Sequence, residues 1–364
     1  MGYHETATTP GLWRHVWRPV QFVLIIDDFG VEYVGLKHAD HLLAVLNKYY
    51  EMTEDWEGEK VAGINPAWNS PARHSDRTCR LSMDDYVRNL LFREGHKTPA
   101  TTQLSLHRHH KIIYGAKQQH APGDDTSSLL NAVGITGVQR IVGALLHYAR
   151  AVDNKLLVTL SAIGSQQASA TENTTAAIYQ LLDYVVRYPA DGLVFRSSGM
   201  ALAAHADVGF NNKSRAHSRA GVHIYFSEVN ARPRWNGTVV AITSIMKNAM
   251  PSAAEAELGA LYKCARAMIP LRQALIKMGW PQGKFSIQTD NSTADGVVNN
   301  TIVTKQLKSM NLRLYLLRCC KAQGQFQVFW APGTNNWAGY YTKHFAPIHH
   351  ESQRTIFAGL LPGG

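Results

Sequence analysis

The run Phe22-Val23-Leu24-Ile25-Ile26 is uninterrupted apolar sequence that stops on Asp27 and Asp28. Beyond it, "YVGLKHADHLLAVLNKYY" places Ala39, Leu42, Leu43, Leu46 and Tyr49 or Tyr50 at helical spacing. The pattern predicts a strand, a turn and an amphipathic helix, with the Phe29-Gly30 step able to make the turn because glycine accepts angles closed to other residues. Strand-like pieces follow in "EKVAGINPAWN" and "RTCRLSM". Next comes a helix in "MDDYVRNLLFREG", with Asp84 or Asp85 near its start and Gly95 at its end. From Pro99 to Asp125 turn formers, histidine and lysine predict an extended connection.

Three helices are expected in the middle of the chain, in "GVQRIVGALLHYARAV", "LLVTLSAIGSQQASAT" and "NTTAAIYQLLDYVVRYP", the last ending at Pro189. Leu145, Leu146, Leu156, Leu157, Leu181 and Leu182 are their core candidates, while His147, Tyr148 and Arg150 receive no chemical role. Near residue 191 the period shifts to strands, through "GLVFRSSGMALAAHAD", "SRAGVHIYFSEV" and "GTVVAITSIM". That shift marks a boundary between a helical region and an α/β region.

Composition narrows the field. The 364 residues and 40.4 kDa leave room for more than one domain, and 45% hydrophobic content fits a globular protein. Lys plus Arg (37) exceed Asp plus Glu (27), for a formal charge of +10, which favours polyanionic partners. Cys79, Cys264, Cys319 and Cys320 form no CxxC pair, so neither a zinc knuckle nor a disulfide framework is expected, and a reducing compartment is. The opening residues lack the apolar core of a signal peptide and no stretch reaches the roughly 18–20 apolar residues of a membrane span. An intracellular setting without a membrane partner is the expectation. "LHRHHKIIYG" and "APIHHESQ" suggest exposed linkers or a tail, and His107, His109 and His110 have no partner spaced to complete a metal site.

Two groups of acids carry candidate chemistry. Asp27 and Asp28 are adjacent, so on a strand they would face opposite ways, and a tight turn is needed to bring both to one ion. The alternative is an acidic hairpin tip that caps its own backbone. The second group is Asp207 and Asp290, each expected at a strand end, with Glu257 on a helix that starts at Pro251-Ser252. Such acids could converge across an open sheet, or could cap the helices that follow. Glu255 lies about 200° round the helix from Glu257, so only one of them should face the sheet. Converging carboxylates suit Mg²⁺ or Mn²⁺, which activate water and stabilise the leaving oxygen in phosphodiester cleavage. Lys305, Lys308, Arg313 and Arg318, on or near "TKQLKSMNLRLYLLRCC", are candidate nucleic-acid contacts.

These motifs together resemble the C-terminal part of a copia-like retroelement Pol polyprotein, over nearly the whole chain. "IIDDFG" resembles the reverse transcriptase catalytic turn, with Ile25 at the usual aromatic position. "AHAD", "SAAEAELGAL", "IQTDNSTA" and "APGTNNWAGYYTK" follow the order of retroelement RNase H motifs. The resemblance implies an α/β and α+β multidomain chain. Its parts would be a partial reverse transcriptase palm and start of thumb over residues 1–98 and a linker and helical thumb/connection over 99–190. An RNase H-like three-layer α/β domain would span 191–346, with a C-terminal tail at 347–364.

By the same resemblance Asp207, Glu257 and Asp290 are metal-binding catalytic acids, Glu257 being chosen over Glu255 because Leu-Gly-Ala-Leu follows it. Gly339 stands where the family has a further acid, and Asp295 could replace it only if the fold brought it near. Asp27 and Asp28 match a polymerase turn whose third aspartate lies on an earlier strand that this sequence does not contain. Independent polymerisation is therefore not expected. The implied activity is Mg²⁺- or Mn²⁺-dependent cleavage of RNA in RNA–DNA hybrids. A decayed nucleic-acid-binding or structural module is the alternative, and a polymerase fragment completed by a complementary Pol chain is another. The setting would be cytoplasmic, nuclear or within retroelement particles, with the oligomeric state left open.

Overall fold

The computed structural model describes residues 1–109, 125–213, 217–228, 236–302 and 311–358. Strands β1 (Tyr3–Thr6), β2 (Thr9–His15), β3 (Val20–Ile25) and β4 (Asp28–Tyr33) form a four-stranded antiparallel sheet in sequence order. Helix α1 (Leu36–Leu46) covers one face, with Leu42 buried against Val20 and Phe22. The expected strand, turn and helix are thus a hairpin followed by a helix. Its turn lies at Ile26-Asp27, since Ile25 pairs with Asp28, while Phe29 and Gly30 continue β4. Ile26 takes φ 57° there, a conformation uncommon for a β-branched side chain.

β5 (Asn65–Asn69) and β6 (Thr78–Ser82) form the next antiparallel pair, followed by α2 (Tyr86–Arg93). Then come the three expected helices, α3 (Ala132–Ala151), α4 (Leu157–Gly164) and α5 (Glu172–Arg187). Asn131 caps α3 and Thr171 caps α5 through a reciprocal bond with Thr174, which satisfies amide groups that the first helical turn leaves free. Leu145, Leu156, Leu157, Leu181 and Leu182 are buried in one core and Leu146 packs at its margin. β7 (Leu193–Arg196) pairs with β6 and completes a three-stranded sheet.

β8 (Ala201–Lys213), β9 (His217–Ser227) and β10 (Thr238–Ile245) are antiparallel. Helix α6 (Ala253–Lys277) crosses to β11 (Phe285–Thr289), and α7 (Ser292–Val298) and α8 (Asn311–Ala322) lead to β12 (Phe326–Trp330). β11 is parallel to both β8 and β12, giving a mixed sheet in the order β10-β9-β8-β11-β12. Leu202, Ala204, Ala206, Val222 and Ile224 pack under Leu258, Leu261, Cys264 and Met268 of α6, so α6 to α8 form one outer layer.

The alternate residues of the central strands face a second core. His205 stacks on Trp337, and His223 on Tyr341, which is buried with Phe357 among Leu145, Leu156, Leu181 and Tyr184 of the middle helices. Arg219 of β9, fully buried, donates to the Val158 carbonyl of α4 at 3.0 Å. The result is three layers: α6–α8, the mixed sheet, and α3–α5 with α9 (Pro347–Phe357). "APIHHESQ" is therefore helix, not exposed tail, and Leu106 and His107 at the start of "LHRHH" are buried. His350 is buried and shares a 3.0 Å hydrogen bond with buried His107. Both histidines fill the aromatic layer, which composition alone does not reveal. His110 lies outside the described residues. Among those residues no helix is long and apolar enough to cross a membrane.

Candidate carboxylate centre

Helix α6 begins where Pro251-Ser252 indicates, with the Ser252 hydroxyl accepting from the Glu255 amide at 3.2 Å. This start sets the helical phase that buries Glu257 beneath the sheet. Thr289, the last residue of β11, donates its hydroxyl to Glu257 Oε1 at 2.9 Å. Asp290 follows directly as β11 ends. Asp207 departs from its expected place at a strand end, because the β8–β9 hairpin continues to a Lys213–His217 pair. It lies inside the central strand, 2% exposed.

The three acids lie near enough to act on one another's ionisation. Burial raises the pKa of Glu257 well above the usual carboxylate range, and repulsion from Asp207 and Asp290 adds to it, against the Thr289 hydrogen bond. Asp290 is raised by burial first and by the neighbouring Asp207 second, against the Lys343 ammonium. Carboxylates this close oppose one another's ionisation. Asp295 accepts from the Asn299 side-chain amide at 2.7 Å, where Asn299 follows the end of α7.

The segment after β12 closes the site. Trp330 donates its indole N–H to the Asp290 carbonyl at 3.0 Å, and Asn336 donates to the Ala206 carbonyl at 2.7 Å. A Cβ on Gly333 would stand 2.6 Å from Asp290 Oδ2, so any larger residue there would displace that carboxylate. Further on, Thr342 donates its hydroxyl to Asp207 Oδ2, and the Lys343 ammonium lies 3.5 Å from Asp207 Oδ1. Burial works against the Lys343 charge, but Asp207 and Asp290, with Glu257, outweigh it and hold its pKa above the usual value. A Cβ on Gly339 would be 3.7 Å from Lys343 Nζ and 3.8 Å from Asp207 Oδ2. Gly339 thus borders the centre and contributes no side-chain ligand. Sequence reasoning missed Thr342 and Lys343, although both stand three and four residues after Gly339, one helical turn on.

As a donor set, three carboxylates and a hydroxyl are hard oxygens suited to Mg²⁺ or Mn²⁺. Among the described residues, however, no three His, Cys, Asp or Glu side chains are grouped as they would be around an ion. Lys343 supplies positive charge at Asp207 instead.

The remaining candidates are dispersed. Asp27 and Asp28 are exposed on the β3–β4 hairpin, and Asp28 Oδ2 accepts from the Ala62 amide at 2.7 Å. Arg318 commits its guanidinium to the Val297 carbonyl at 3.1 and 2.6 Å, closing the end of α7. Arg313 lies over the Tyr262 ring at 5.5 Å. Lys305 and Lys308 lie outside the described residues.

No protein-family model matches the chain, and no curated protein does. Several solved structures are similar over part of it. LC11-RNase H1, isolated from compost by a metagenomic approach, aligns with 12% identity and a TM-score of 0.31, covering 39% of this chain and 93% of that one. The same enzyme solved with an RNA/DNA hybrid gives 14% and 0.30 over 39% and 93%. The N-terminal RNase H domain of a Mycobacterium tuberculosis protein gives 16% and 0.27 over 42% and 95%.

Proposed function

We propose that the Asp207–Glu257–Asp290 centre hydrolyses the RNA strand of RNA–DNA hybrids. The observation that carries this reading is that acids from a central strand, the crossing helix and the end of the neighbouring parallel strand act on one another, adding to the burial that raises Glu257 and Asp290. The retroelement-like order of the four motifs around them supports the same reading. Mg²⁺ or Mn²⁺, held by Asp207, Glu257 and Asp290, would activate water and stabilise the leaving oxygen. The chain's own part is to gather the acids, to fix Glu257 through Thr289 and Asp207 through Thr342, and to hold the wall around Asp290 with Trp330 and Gly333. A hybrid would be recognised mainly by duplex shape and the 2′-hydroxyl.

The test is a labelled RNA–DNA hybrid incubated with Mg²⁺ or Mn²⁺, with chelator, and with Asp290→Asn. Cleavage confined to the metal-loaded native protein supports the proposal, whereas equal background in every sample overturns it.

A second reading, a hybrid-binding module without turnover, is favoured by Lys343 beside Asp207 and by the absence of a side-chain ligand on Gly339. It requires hybrid binding that survives Asp290→Asn and no cleavage under any metal condition.

A further inference from the structure

Between the mixed sheet and the middle helices two cations meet without an acid. Arg219 of β9 is 0% exposed; its Nη1 donates to the Val158 carbonyl of α4 at 3.0 Å and lies 3.2 Å from His344 Nε2. Lys213, the last residue of β8, brings its ammonium to the same imidazole nitrogen at 3.4 Å. Nε and Nη2 of Arg219, the remaining edge of the guanidinium, are buried without a hydrogen-bond partner. A guanidinium keeps its charge and its donors, so leaving two of them unpaired in a core is costly.

The surroundings supply no negative charge. Burial lowers Arg219 to about 9, burial and then Arg219 lower Lys213 to about 7, and among the described residues no acid acts on either. The His344 ring lies 4.1 Å from that of His107, which shares its hydrogen bond with His350, and His350 is bonded in turn to the Tyr340 hydroxyl at 2.8 Å. Burial, as the first cause, lowers all three imidazoles and keeps them neutral. His344 can therefore accept at Nε2 but cannot balance a cation.

An anion can. Nε–H and Nη2–H lie parallel on one guanidinium edge and match two oxygens of an oxyanion, a fit that a spherical halide or a single water does not make. Two cations together favour a divalent ion over a monovalent one. Lys213 and His344 are partly exposed whereas Arg219 is not, so an approach past the lysine admits a small ion and excludes a nucleic-acid strand.

We propose that Arg219 and Lys213 bind a small free oxyanion of the phosphate or sulfate class, which ties the end of the β8–β9 hairpin to α4. The site is independent of hybrid cleavage, and its test uses neither hybrid nor metal.

The experiment is thermal melting and titration calorimetry of the full chain in chelator, with sodium phosphate, sodium sulfate or sodium chloride at matched ionic strength. Phosphate or sulfate about tenfold above its dissociation constant should raise the native melting temperature by about 2–4 °C, and the rise should saturate. Lys213→Met should weaken the calorimetric affinity about tenfold through loss of one charged donor. Arg219→Lys keeps the charge and loses the fork, so it too should bind more weakly. Arg219→Met removes an unpaired buried charge; it should melt no lower than the native protein in chloride and show no saturable gain in phosphate or sulfate. Lys37→Ala, on α1, should behave as native. A rise that is linear in salt and equal in every protein is the general exclusion effect of these salts and would overturn the proposal. An equal rise in chloride would do the same. Unchanged affinity in both Lys213→Met and Arg219→Lys would overturn it even if Arg219→Met failed to fold. A short oligonucleotide that raises the melting temperature where inorganic phosphate does not would assign the cations to a strand and reject the free ion.

Discussion

Two sets of acids on one chain meet opposite surroundings. Asp27 and Asp28 are adjacent in sequence, exposed at a hairpin tip, and Asp28 is engaged by a backbone amide. Asp207, Glu257 and Asp290 are separated by as many as 83 positions, from 207 to 290, yet they act on one another in largely buried surroundings where two of them hold their protons more tightly. Adjacency in sequence disperses side chains on extended backbone, whereas a sheet crossed by a helix gathers distant ones. Burial then decides the chemistry: close acids interact strongly only where water does not screen them.

The sharpest break of this comparison is catalytic. Asp290→Asn should abolish metal-dependent hybrid cleavage, measured by gel, while Asp27→Asn and Asp28→Asn leave the rate within about twofold, the scale of substitutions outside the reacting groups. Equal loss from the hairpin pair would mean that both regions belong to one active centre.

Stability should separate the regions too. Lys155, 1% exposed, pairs with Asp153 at 2.6 Å and Asp191 at 3.1 Å, and Asp191 also takes Arg354 of α9. Lys155→Met leaves two buried acids short of a cation and should cost about 3–5 kcal/mol in urea unfolding. Asp28→Asn, which removes one exposed charge-assisted bond, should cost less than about 1 kcal/mol.

Acid should act on the layered sheet before it acts on the hairpin. Burial depresses His107 to about 4 and His350 to about 3, and the side chains around them, His344, Lys213 and Arg219, are themselves basic. An unfolded chain protonates histidine near 6.5, so between there and about 4 the unfolded state binds more protons. Stability contributed by neutral His107 and His350 is present above about 6.5 and is lost as pH falls through that window. His350→Gln should flatten the pH dependence of the melting temperature between 4 and 6.5. An unchanged slope would place the acid lability elsewhere.

Much of this was legible in the sequence. Periodicity found the middle helices, the Pro251-Ser252 helix start and the strands that follow residue 191, because local pattern and tertiary burial agree there. The helix that carries Glu257 and the strand that ends before Asp290 were legible for the same reason. The hairpin turn was displaced because Ile26 adopts a positive φ that its residue type does not advertise. His107 and His350 were misplaced because histidine composition suits a linker as well as an aromatic layer, and only long-range packing distinguishes them. Lys343 was missed because its meaning depends on Asp207, 136 residues earlier and on another element.

Lys343 provides the finest distinction between the two acidic regions, since among the described residues only the buried one pairs with an ammonium. That charge can serve the site in two ways with opposite signs. If it offsets repulsion among Asp207, Glu257 and Asp290 in place of an ion, Lys343→Met should lower the melting temperature in chelator and raise Mn²⁺ affinity about tenfold, since a nearby like charge no longer opposes the cation. Manganese binding read by electron paramagnetic resonance, together with melting in chelator, measures both without recourse to turnover. If Lys343 instead orders the acids for an ion, the same substitution should weaken Mn²⁺ binding. Asp27→Asn supplies the baseline, because the hairpin lies apart from the centre and should change neither quantity. A rise in Mn²⁺ affinity with a fall in metal-free stability would establish that the fold neutralises its own carboxylates when no divalent ion is bound.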